Sequence, residues 1–523
     1  MLDFIPILSL LIWLPMLGSA LLLVVRSHDA QQEQRNARAV ALWISSFVFV
    51  LSLVAWLTFV PDAAGMQFVE RHTWIHSFNI EYYLGVDGLS LPLIMLTALL
   101  VPLCVLISWK SIQDNARQFY ACLLALEGLV IGVFCALDFV LFYIFWEAML
   151  IPMFLMIGVW GGENRIYATL KFFLYTFAGS LLMLAALLYL YSFSGGSFDM
   201  LALQTIDIPL HIQIWLWLAL FAAFAVKVPM WPFHTWLPDA HVQAPTAGSV
   251  ILAGVLLKMG AYGFLRLSLP ILPDASLYFA PLMFTLSAIA VVWAALVAFA
   301  QSDIKKMIAY SSVSHMGFVT LGIFAGTPDA TNGAILQMMN HGIVSAALFL
   351  LIGVIYERMH TRSLTYFGGI IHSMPAYAVV FMIFTLASVG LPGTNSFVGE
   401  FLVLAGGMQS SLAGVQTATV VALSGVVLGA LYMFWLYRKM IFGQDRSPAV
   451  RNLSDLTTRE RLIFVPLILL VFIIGFFPHV LLGTIRPATQ GILDNYNFVQ
   501  QEPLKLVSQE ASLVKHNIKE GEH

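Results

Sequence analysis

The sequence is short of charged residues and almost free of cysteine. Asp, Glu, Lys and Arg together make up 10% of its 523 residues, whereas 60% are hydrophobic. Soluble globular domains carry about 25% charged residues, so this composition excludes that class. The net charge of −3 is too small to indicate any partner. The three cysteines, Cys104, Cys122 and Cys135, have no CxxC or CxxCH spacing, and we interpret them as packing residues rather than as a disulfide or haem attachment.

Motifs for nucleotides and redox cofactors are also missing. The sequence contains no GxGxxG, no P-loop, no cysteine cluster and no HH pair. Its histidines are spread singly, so they do not form the paired helical ligands that a haem–copper centre needs. We therefore expect this chain to hold no cofactor or metal of its own and to bind no nucleic acid.

What the sequence does have is long hydrophobic runs. A membrane helix needs about 20 apolar residues, and about fourteen segments meet this length. The expected fold class is an all-α polytopic membrane protein. The first run has no basic stretch before it, so we interpret it as a retained span rather than a cleaved signal. The expected spans are 4–25, 38–60, 87–109, 117–136, 139–159, 166–192, 211–236, 244–265, 276–300, 305–325, 332–356, 372–408, 412–437 and 462–482.

The basic residues between these runs predict the orientation. Cytoplasmic loops of membrane proteins are enriched in Lys and Arg. One set of loops contains most of them, and we expect that side to be cytoplasmic, with both termini on the periplasmic side of a bacterial inner membrane. The rich loops hold Arg26, Arg35, Arg38, Lys110, Arg117, Arg165, Lys305, Lys306, Arg358, Arg362, Arg438, Lys439, Arg446, Arg451, Arg459 and Arg461, and the other side holds Arg71, Arg266, Arg486, Lys505, Lys515 and Lys519. Lys305 and Lys306 are interpreted as topology anchors.

The positions of helix breaks indicate an internal repeat. Spans four to eight and nine to thirteen form two sets of five, and an odd-numbered repeat places its second copy upside down. The fourth span of each set is interrupted by proline, and helices broken at matching positions of inverted repeats are typical of transport sites. We divide the chain into peripheral spans at 1–116, a first five-helix repeat at 117–267, an inverted second repeat at 268–441, and a linker, last span and polar tail at 442–523.

The segment FAAFAVKVPMWPFHTWLPDAHVQAP (221–245) contains the clearest functional pattern. Lys227 stands near the centre of a span, where a lysine costs about 2.5–3.5 kcal/mol on insertion scales. Pro229 and Pro232 follow it and remove helix hydrogen-bond donors. Broken backbone at membrane depth is tolerated only inside protein or beside water. A charge at such a break predicts a hydrated site on an ion pathway.

Three further charged residues inside spans are the next candidates for the ion pathway. Glu147 in FWEAMLIPM is nearly central, and Lys227 is its obvious counter-ion; a structural hydrogen bond is the alternative. Lys258 is about half a membrane from either end of its span, too deep for its ammonium to reach the interface. Glu400 follows the interruption at LPGTNS, where a plain helix-terminal charge is the alternative.

Four histidines are weaker candidates for a proton relay, because imidazole titrates near neutral pH. His315 and His341 lie within spans, and His234 and His241 follow the break after Lys227. A buried, hydrogen-bonded structural histidine is the alternative for each of them. Lys171 and Glu127 are less specific, since Lys171 is close enough to the span end to snorkel.

Several motifs together resemble a known family. They are YYLGVDGLSLPLIMLT (82–97), FWEAMLIPM (145–153), AFAVKVPMWPFHTWLPDAHVQAPTAGSVILAGVLLKMGAYG (223–263), SDIKKMIAYSSVSHMGF (302–318) and LPGTNSFVGEF (391–401). The resemblance is to the antiporter-like membrane subunits of proton-pumping NADH–quinone oxidoreductase, complex I, and it is strongest to the type called chain M or mitochondrial subunit 4. Subunits of that type have an acid where their sister subunits have lysine, and Glu400 matches it.

The resemblance implies fourteen helices and a proton path through Glu147 paired with Lys227, then Lys258, then Glu400. It also implies that NADH, FMN, iron–sulfur clusters and quinone are bound by partner subunits of complex I, with other antiporter-like subunits and lipid as neighbours. Two alternatives remain. The chain is similar to subunits of Mrp-type sodium/proton antiporters, which have no electron donor, and a passive scaffold would show the same spans without pumping.

Overall fold

The computed structural model describes residues 5–24, 29–63, 65–444, 448–494 and 496. Helices make up most of this part of the chain. Both termini, which we expect on the periplasmic side, and most of the polar tail lie outside the described residues.

The helices follow the hydrophobic runs. Several of them extend beyond the expected spans, because polar residues at the ends of the runs are also helical. They are α1 Ile7–Val24, α2 Ala30–Thr58, α3 Ser90–Ser111, α4 Ala116–Cys135, α5 Phe139–Trp160, α6 Arg165–Phe193, α7 Leu210–Lys227, α8 Trp236–Gln243, α9 Thr246–Ile271, α10 Ala280–Phe299, α11 Ile304–Phe324, α12 Pro328–Met359, α13 Pro375–Val389, α14 Asn395–Gln409, α15 Val415–Ile441, α16 Thr458–Phe476 and α17 His479–Asp494. Short helices lie at Met200–Leu203, Pro273–Tyr278, Ile370–Ser373 and Pro448–Arg451.

The number of spans agrees with the expected fourteen once the broken helices are counted. Twelve helices of the described chain are long and apolar enough to cross a membrane, and the bent pair α16 and α17 adds a thirteenth. The pair α13 and α14 supplies the remaining one, because each half has only 15 residues and is too short alone. The fold class of a polytopic helical membrane protein is confirmed.

Both proline-containing breaks occur where the sequence predicts them. After α7, the chain runs through Pro229 and Pro232 before α8 begins. The carbonyl of Val226, freed at this break, accepts a hydrogen bond from the Trp236 indole at 2.9 Å. The second break separates α13 from α14 at Gly390, whose φ of +76° is left-handed and favours glycine. These breaks lie in the fourth span of each of the two predicted sets of five.

One irregularity was not predicted. Helix α9 contains two π-helical turns, Leu252–Leu256 and Phe264–Ser268, on either side of Lys258. Such turns widen the helix and leave carbonyls available, and they concentrate at functional sites. Neither π-helical turn contains a proline, so only the packed structure shows that α9 is distorted around its lysine.

A β-hairpin is the second feature that the all-α prediction omits. Strand β1 (Gln67–Ile75) pairs antiparallel with β2 (Ile80–Val86) between α2 and α3. Arg71 bonds Glu81 across the hairpin at 2.6 Å and Asp199 of the α6–α7 connection at 3.2 Å. The hydrogen bond to Glu81 raises the pKa of Arg71. We call the side of the molecule with this hairpin the hairpin face.

The opposite side holds Lys110, Arg165, Lys306 and Arg358, and we call it the basic face. Between the two faces, the most apolar stretches of α9 and α12 are completely buried. In contrast, α2, α6 and α15 are largely exposed on their outer sides. A Cβ on Gly342 of α12 would lie 2.8 Å from the Gly254 carbonyl of α9, so the two helices approach this closely only because position 342 is glycine. This central crossing brings the polar residues of both helices together.

Candidate functional site: a buried row of charged and polar side chains

Lys227 is the last residue of α7, immediately before the proline break. Its side chain is buried, with 2% of its surface exposed. Its ammonium lies 5.0 Å from the centre of the Trp146 ring and has no hydrogen-bond partner within the described chain. A buried cation with one aromatic neighbour is poorly stabilised, because an ammonium normally donates three hydrogen bonds.

Glu147 belongs to α5, one residue after Trp146. It is half-buried, and the neighbours that act on its carboxylate are the Ser180 hydroxyl and the Lys227 ammonium. No direct ion pair joins Glu147 to Lys227, although both residues are described. The structure thus makes them neighbours separated by more than a contact distance, and their pairing stays a prediction.

Lys258 and His341 meet at the crossing of α9 and α12. The Lys258 ammonium lies 2.6 Å from His341 Nδ1 and also donates to the Ala253 carbonyl, which belongs to the first π-helical turn. Lys258 is completely buried, and His341 nearly so. The π-turn therefore has a direct role, since it presents a backbone acceptor to the lysine. The sequence identified both residues but not their contact, which joins positions 83 residues apart.

Glu400 and His315 form the next contact. His315 Nδ1 on α11 lies 2.9 Å from Glu400 Oε1 on α14, an ion pair whenever the imidazole is protonated. Gln337 of α12 donates to the same carboxylate oxygen at 2.9 Å. The predicted relay role of His315 is consistent with this position, and Gln337 is a site residue that the sequence analysis missed. A neutral glutamine among many apolar residues gave no signal.

A short gap separates the two contacts. The rings of His315 and His341 are 5.7 Å apart between centroids, inclined by 47°. A cavity of about 10 Å³ adjoins both rings and is lined by the side chains of Ser311, Ser345 and Ser388. Space of this size admits about one water molecule. Lys258, His341, His315 and Glu400 thus form a row interrupted by one water-sized gap, which we call the central row.

His234 and His241 lie apart from the central row, toward the basic face. His234 packs against Trp293 with 4.9 Å between ring centroids, and His241 stacks on Phe349 at 4.4 Å. Neither histidine has a hydrogen-bond partner on its ring nitrogens within the described chain. Both are buried, so the structure supports their position near the pathway but leaves their relay role a prediction.

The structure corrects the interpretation of Lys305. It is not a topology anchor at the surface, because its side chain is buried, with 3% exposed. Its ammonium donates to the Ala244 carbonyl at 2.8 Å and to Ser249 Oγ at 3.4 Å, and Ser249 in turn bonds the His241 carbonyl at 3.1 Å. Lys305 therefore ties α11 to the connection between α8 and α9. Charge counting places such a residue in a loop because it cannot show which way a side chain points.

Two cavities of about 480 Å³ and 440 Å³ open on the basic face beside this contact. Both are lined by Asp303 and Arg362, which form an ion pair at 3.4 Å. The second also touches Asp239, the partner of Lys171 at 2.7 Å. Lys171 is thus bound in a salt bridge rather than snorkelling freely. Polar surface extends from the basic face to the level of Lys305.

Glu127 is a buried carboxylate that belongs to neither group. It lies in α4 with 1% of its surface exposed, and neither oxygen has a hydrogen-bond partner within the described residues. No contact joins it to the central row, so it is left out of the path.

In the described part of the chain, no group of three or more His, Cys, Asp or Glu residues is placed to hold a metal ion. The residues of the central row are proton-exchanging groups rather than a ligand set.

Replacement of Lys305 with Met is expected to lower the thermal stability of the assembled protein. The change leaves the Ala244 carbonyl without its buried donor, at a cost of about 1–3 kcal/mol. The check is the melting temperature of the purified complex for Lys305→Met and for the control Lys306→Met, whose side chain is half-exposed. Equal melting temperatures for wild type and Lys305→Met would show that the contact carries no stability.

Two known protein families match most of the chain. The family described as NADH:quinone oxidoreductase/Mrp antiporter, TM, matches residues 136–429. The family described as NADH-ubiquinone oxidoreductase chain 4, amino terminus, matches residues 33–132. The first match alone includes the central row, Glu147 and Lys227.

Curated relatives have high identity over their full lengths. NADH-quinone oxidoreductase subunit M of Rhodobacter capsulatus is 49% identical over 505 residues, covering 94% of this chain and 97% of the relative. NADH-ubiquinone oxidoreductase chain 4 of Marchantia polymorpha is 46% identical over 492 residues, covering 94% and 98%.

Solved structures agree in fold. A chain of respiratory complex I from Thermus thermophilus superposes with a TM-score of 0.85 and 31% identity, covering 94% of this chain and 99% of that chain. A chain of the Mrp complex from Dietzia superposes with a TM-score of 0.78, but its 21% identity and coverage of 92% of this chain and 52% of that chain show a shared fold only. The chain belongs to the family of antiporter-like membrane subunits of NADH:quinone oxidoreductase, and within that family to the subunit M or chain 4 type.

Proposed function

We propose that this chain translocates protons across the membrane through Glu147, Lys227 and the central row, as a subunit of the respiratory NADH–quinone oxidoreductase. The observation that carries the assignment is the central row, in which Lys258, His341, His315 and Glu400 are linked by two direct contacts and one water-sized gap. Each member holds a proton in one state and releases it in another.

Burial determines how the row can operate. Lys258 and His341 share one short hydrogen bond in a dry crossing, so two positive charges side by side would repel strongly. One excess proton is therefore shared between them. When it moves to His341, the imidazole can release a proton toward His315 across the gap. Glu400 then accepts it directly, because its carboxylate touches His315 Nδ1.

Glu147 determines when Lys227 releases its proton. An approaching Glu147 carboxylate stabilises the charged form of Lys227, and a receding carboxylate favours release of the lysine proton. At an effective dielectric constant near 20, two unit charges at 4 Å interact by about 4 kcal/mol. This is sufficient to alter the protonation of Lys227, and in this proposal a separated Glu147 and Lys227 is the proton-releasing arrangement.

The chain provides the path, and partner subunits provide the energy. NADH, FMN, iron–sulfur clusters and quinone are held by those partners, and other antiporter-like membrane subunits are the expected neighbours. The exposed apolar sides of α2, α6 and α15 fit contact with lipid or with these subunits. The excess of basic loops assigns the basic face to the bacterial cytoplasm and the hairpin face to the periplasm.

Lys258 gives the direct test. In the assembled complex, Lys258→Met is expected to reduce NADH-driven proton pumping by about 100-fold, the lower range for loss of a proton-transfer group. Lys258→Arg is expected to fail as well, because arginine keeps its charge but does not release a proton. Pumping is measured in inverted membrane vesicles with a pH-sensitive dye, and Lys306→Met is the control.

An Lys258→Arg complex that assembles and pumps normally would contradict the proposal and support a scaffold. An Mrp-type antiporter would show sodium-coupled exchange without any NADH oxidation in the purified complex. The 49% identity to a subunit M favours the oxidoreductase, since the likeness to the Mrp structure is one of fold.

A further inference from the structure

A second buried pair of charges lies on the hairpin face, away from the central row. Arg266 near the end of α9 bonds Asp87, which precedes α3, with 2.6 Å between Nη2 and Oδ1. Charge counting predicts a loop position for Arg266. The structure corrects this, because Arg266 lies in a helix and only 4% of the residue is exposed. The pair forms part of the wall of a cavity of about 520 Å³ that also includes Asp62, Gln204 and Gln490.

Both members of the pair are fixed by further contacts. Arg266 Nε donates to the Tyr262 hydroxyl at 3.2 Å, and that hydroxyl donates to the Phe134 carbonyl at 3.2 Å. Asp87 Oδ1 accepts hydrogen bonds from the backbone N–H groups of Leu89 and Ser90, both at 3.1 Å. The guanidinium is therefore held in one position from two sides.

The charge of Asp87 is shared among several donors. Burial by itself would raise the pKa of Asp87, but Arg266 and the backbone donors outweigh it, and the pKa is lowered below its ordinary value. The carboxylate thus stays ionised near neutral pH. Because it also neutralises the N-terminal N–H groups of α3, it only partly cancels the positive charge of Arg266.

Arg266 stands between the cavity and the central lysine. Lys258, Tyr262 and Arg266 are spaced by four residues along α9, so they follow one side of the helix. Eight residues of helix correspond to roughly 12 Å. The cavity on the hairpin face therefore ends about two helical turns from Lys258, with Tyr262 and Arg266 in between. Tyr262 is the polar residue between them on this side of α9, so a proton that passed Arg266 would have only these two turns to cross before Lys258.

We propose that Arg266 is a fixed positive barrier that prevents protons in the hairpin-face cavity from reaching Lys258, with Asp87 as its positioning residue. An arginine suits this role because it repels a hydrated proton and does not itself exchange one. Lys258 would accept a returning proton, and each return would waste one pumping event. The inference rests on the proposed function, since a barrier matters only where Lys258 carries protons.

Passive proton leak measures the barrier without any turnover. The complex is reconstituted into liposomes, a pH step is applied in the absence of NADH, and proton entry is followed with an internal dye. Arg266→Gln is expected to increase the leak about tenfold, the lower end of the effect of a focused charge on local ion concentration. Arg266→Lys keeps the positive charge but can exchange a proton, so its leak is expected to lie between those of wild type and Arg266→Gln.

Two controls separate a barrier from general damage. The double variant Asp87→Asn/Arg266→Gln contains no unpaired buried charge, so it is expected to assemble and to leak as Arg266→Gln does. The retention of trapped sodium should be unchanged in all variants, because a disrupted bundle would lose it together with protons.

The leak assay also distinguishes this inference from the proposed function. An assembled Arg266→Gln complex with a wild-type leak would overturn the barrier, whatever Lys258 does. A fast leak that persists in Arg266→Gln/Lys258→Met would overturn the path from cavity to lysine. Loss of the leak in that double variant would support it. Normal pumping by Lys258→Arg, in contrast, would contradict the proposed function itself.

Discussion

Glu147→Gln is expected to leave the complex assembled but to reduce proton pumping, and the quinone reduction coupled to it, at least tenfold. The amide is close to the carboxylate in size, so the packing around position 147 should persist. What it lacks is the charge that stabilises the protonated form of Lys227 through space. Because Lys227 has no hydrogen-bond partner in the described chain, no other group there replaces this stabilisation.

The measurement is the pair of rates, NADH:quinone reduction and dye-reported proton uptake, in vesicles with equal amounts of assembled complex. Glu163→Gln is the matched control, since Glu163 is an exposed acid on the basic face. A rescue variant sharpens the test. Tyr143 lies one turn before Glu147 on the same side of α5, so Tyr143→Glu with Glu147→Gln is expected to restore part of the pumping. Wild-type pumping by Glu147→Gln alone would remove this residue from the mechanism.

The second large effect is expected at Glu400. One oxygen of its carboxylate, Oε1, contacts His315 Nδ1 and accepts a hydrogen bond from Gln337. Only 5% of the residue is exposed. Glu400→Ala and Glu400→Gln remove the acceptor at the end of the central row, and each should reduce pumping by about 100-fold. Glu400→Lys should retain partial pumping, because a lysine also carries a proton and can share one with His315.

Proton uptake by reconstituted vesicles is recorded for the three variants, with assembly checked on native gels. Glu400→Gln is the most informative, since it keeps the size of the side chain and an acceptor oxygen for Gln337. If the Gln and Ala variants pump like wild type, Glu400 is only a structural charge. His341 would then become the candidate for the terminal proton carrier, because its Nε2 has no partner within the described residues.

The sequence alone identified several residues of the proposed mechanism, because a buried charge is costly. Lys227, Lys258, Glu147 and Glu400 stand within apolar runs, and such a position is expensive wherever the helices pack. The same local argument identified the breaks at Pro229 and before α14, since proline removes a helix donor whatever surrounds it. Span number followed from run length alone. These properties depend on the neighbours in sequence and therefore require no knowledge of the packing.

Only the tertiary structure decided which of these residues meet. The contacts of Lys258 with His341 and of His315 with Glu400 join residues 83 and 85 positions apart, and they depend on the crossing of α9 and α12 and on the position of α14. Gln337 entered the site for the same reason. The π-helical turns of α9 depend on the helices packed around it. The hairpin strands are short and lie between two spans, so a search for long hydrophobic runs does not detect them. Lys305 and Arg266 were placed in loops because basic-residue counts register charge near a span end, whereas burial is decided by the partner each side chain finds in space.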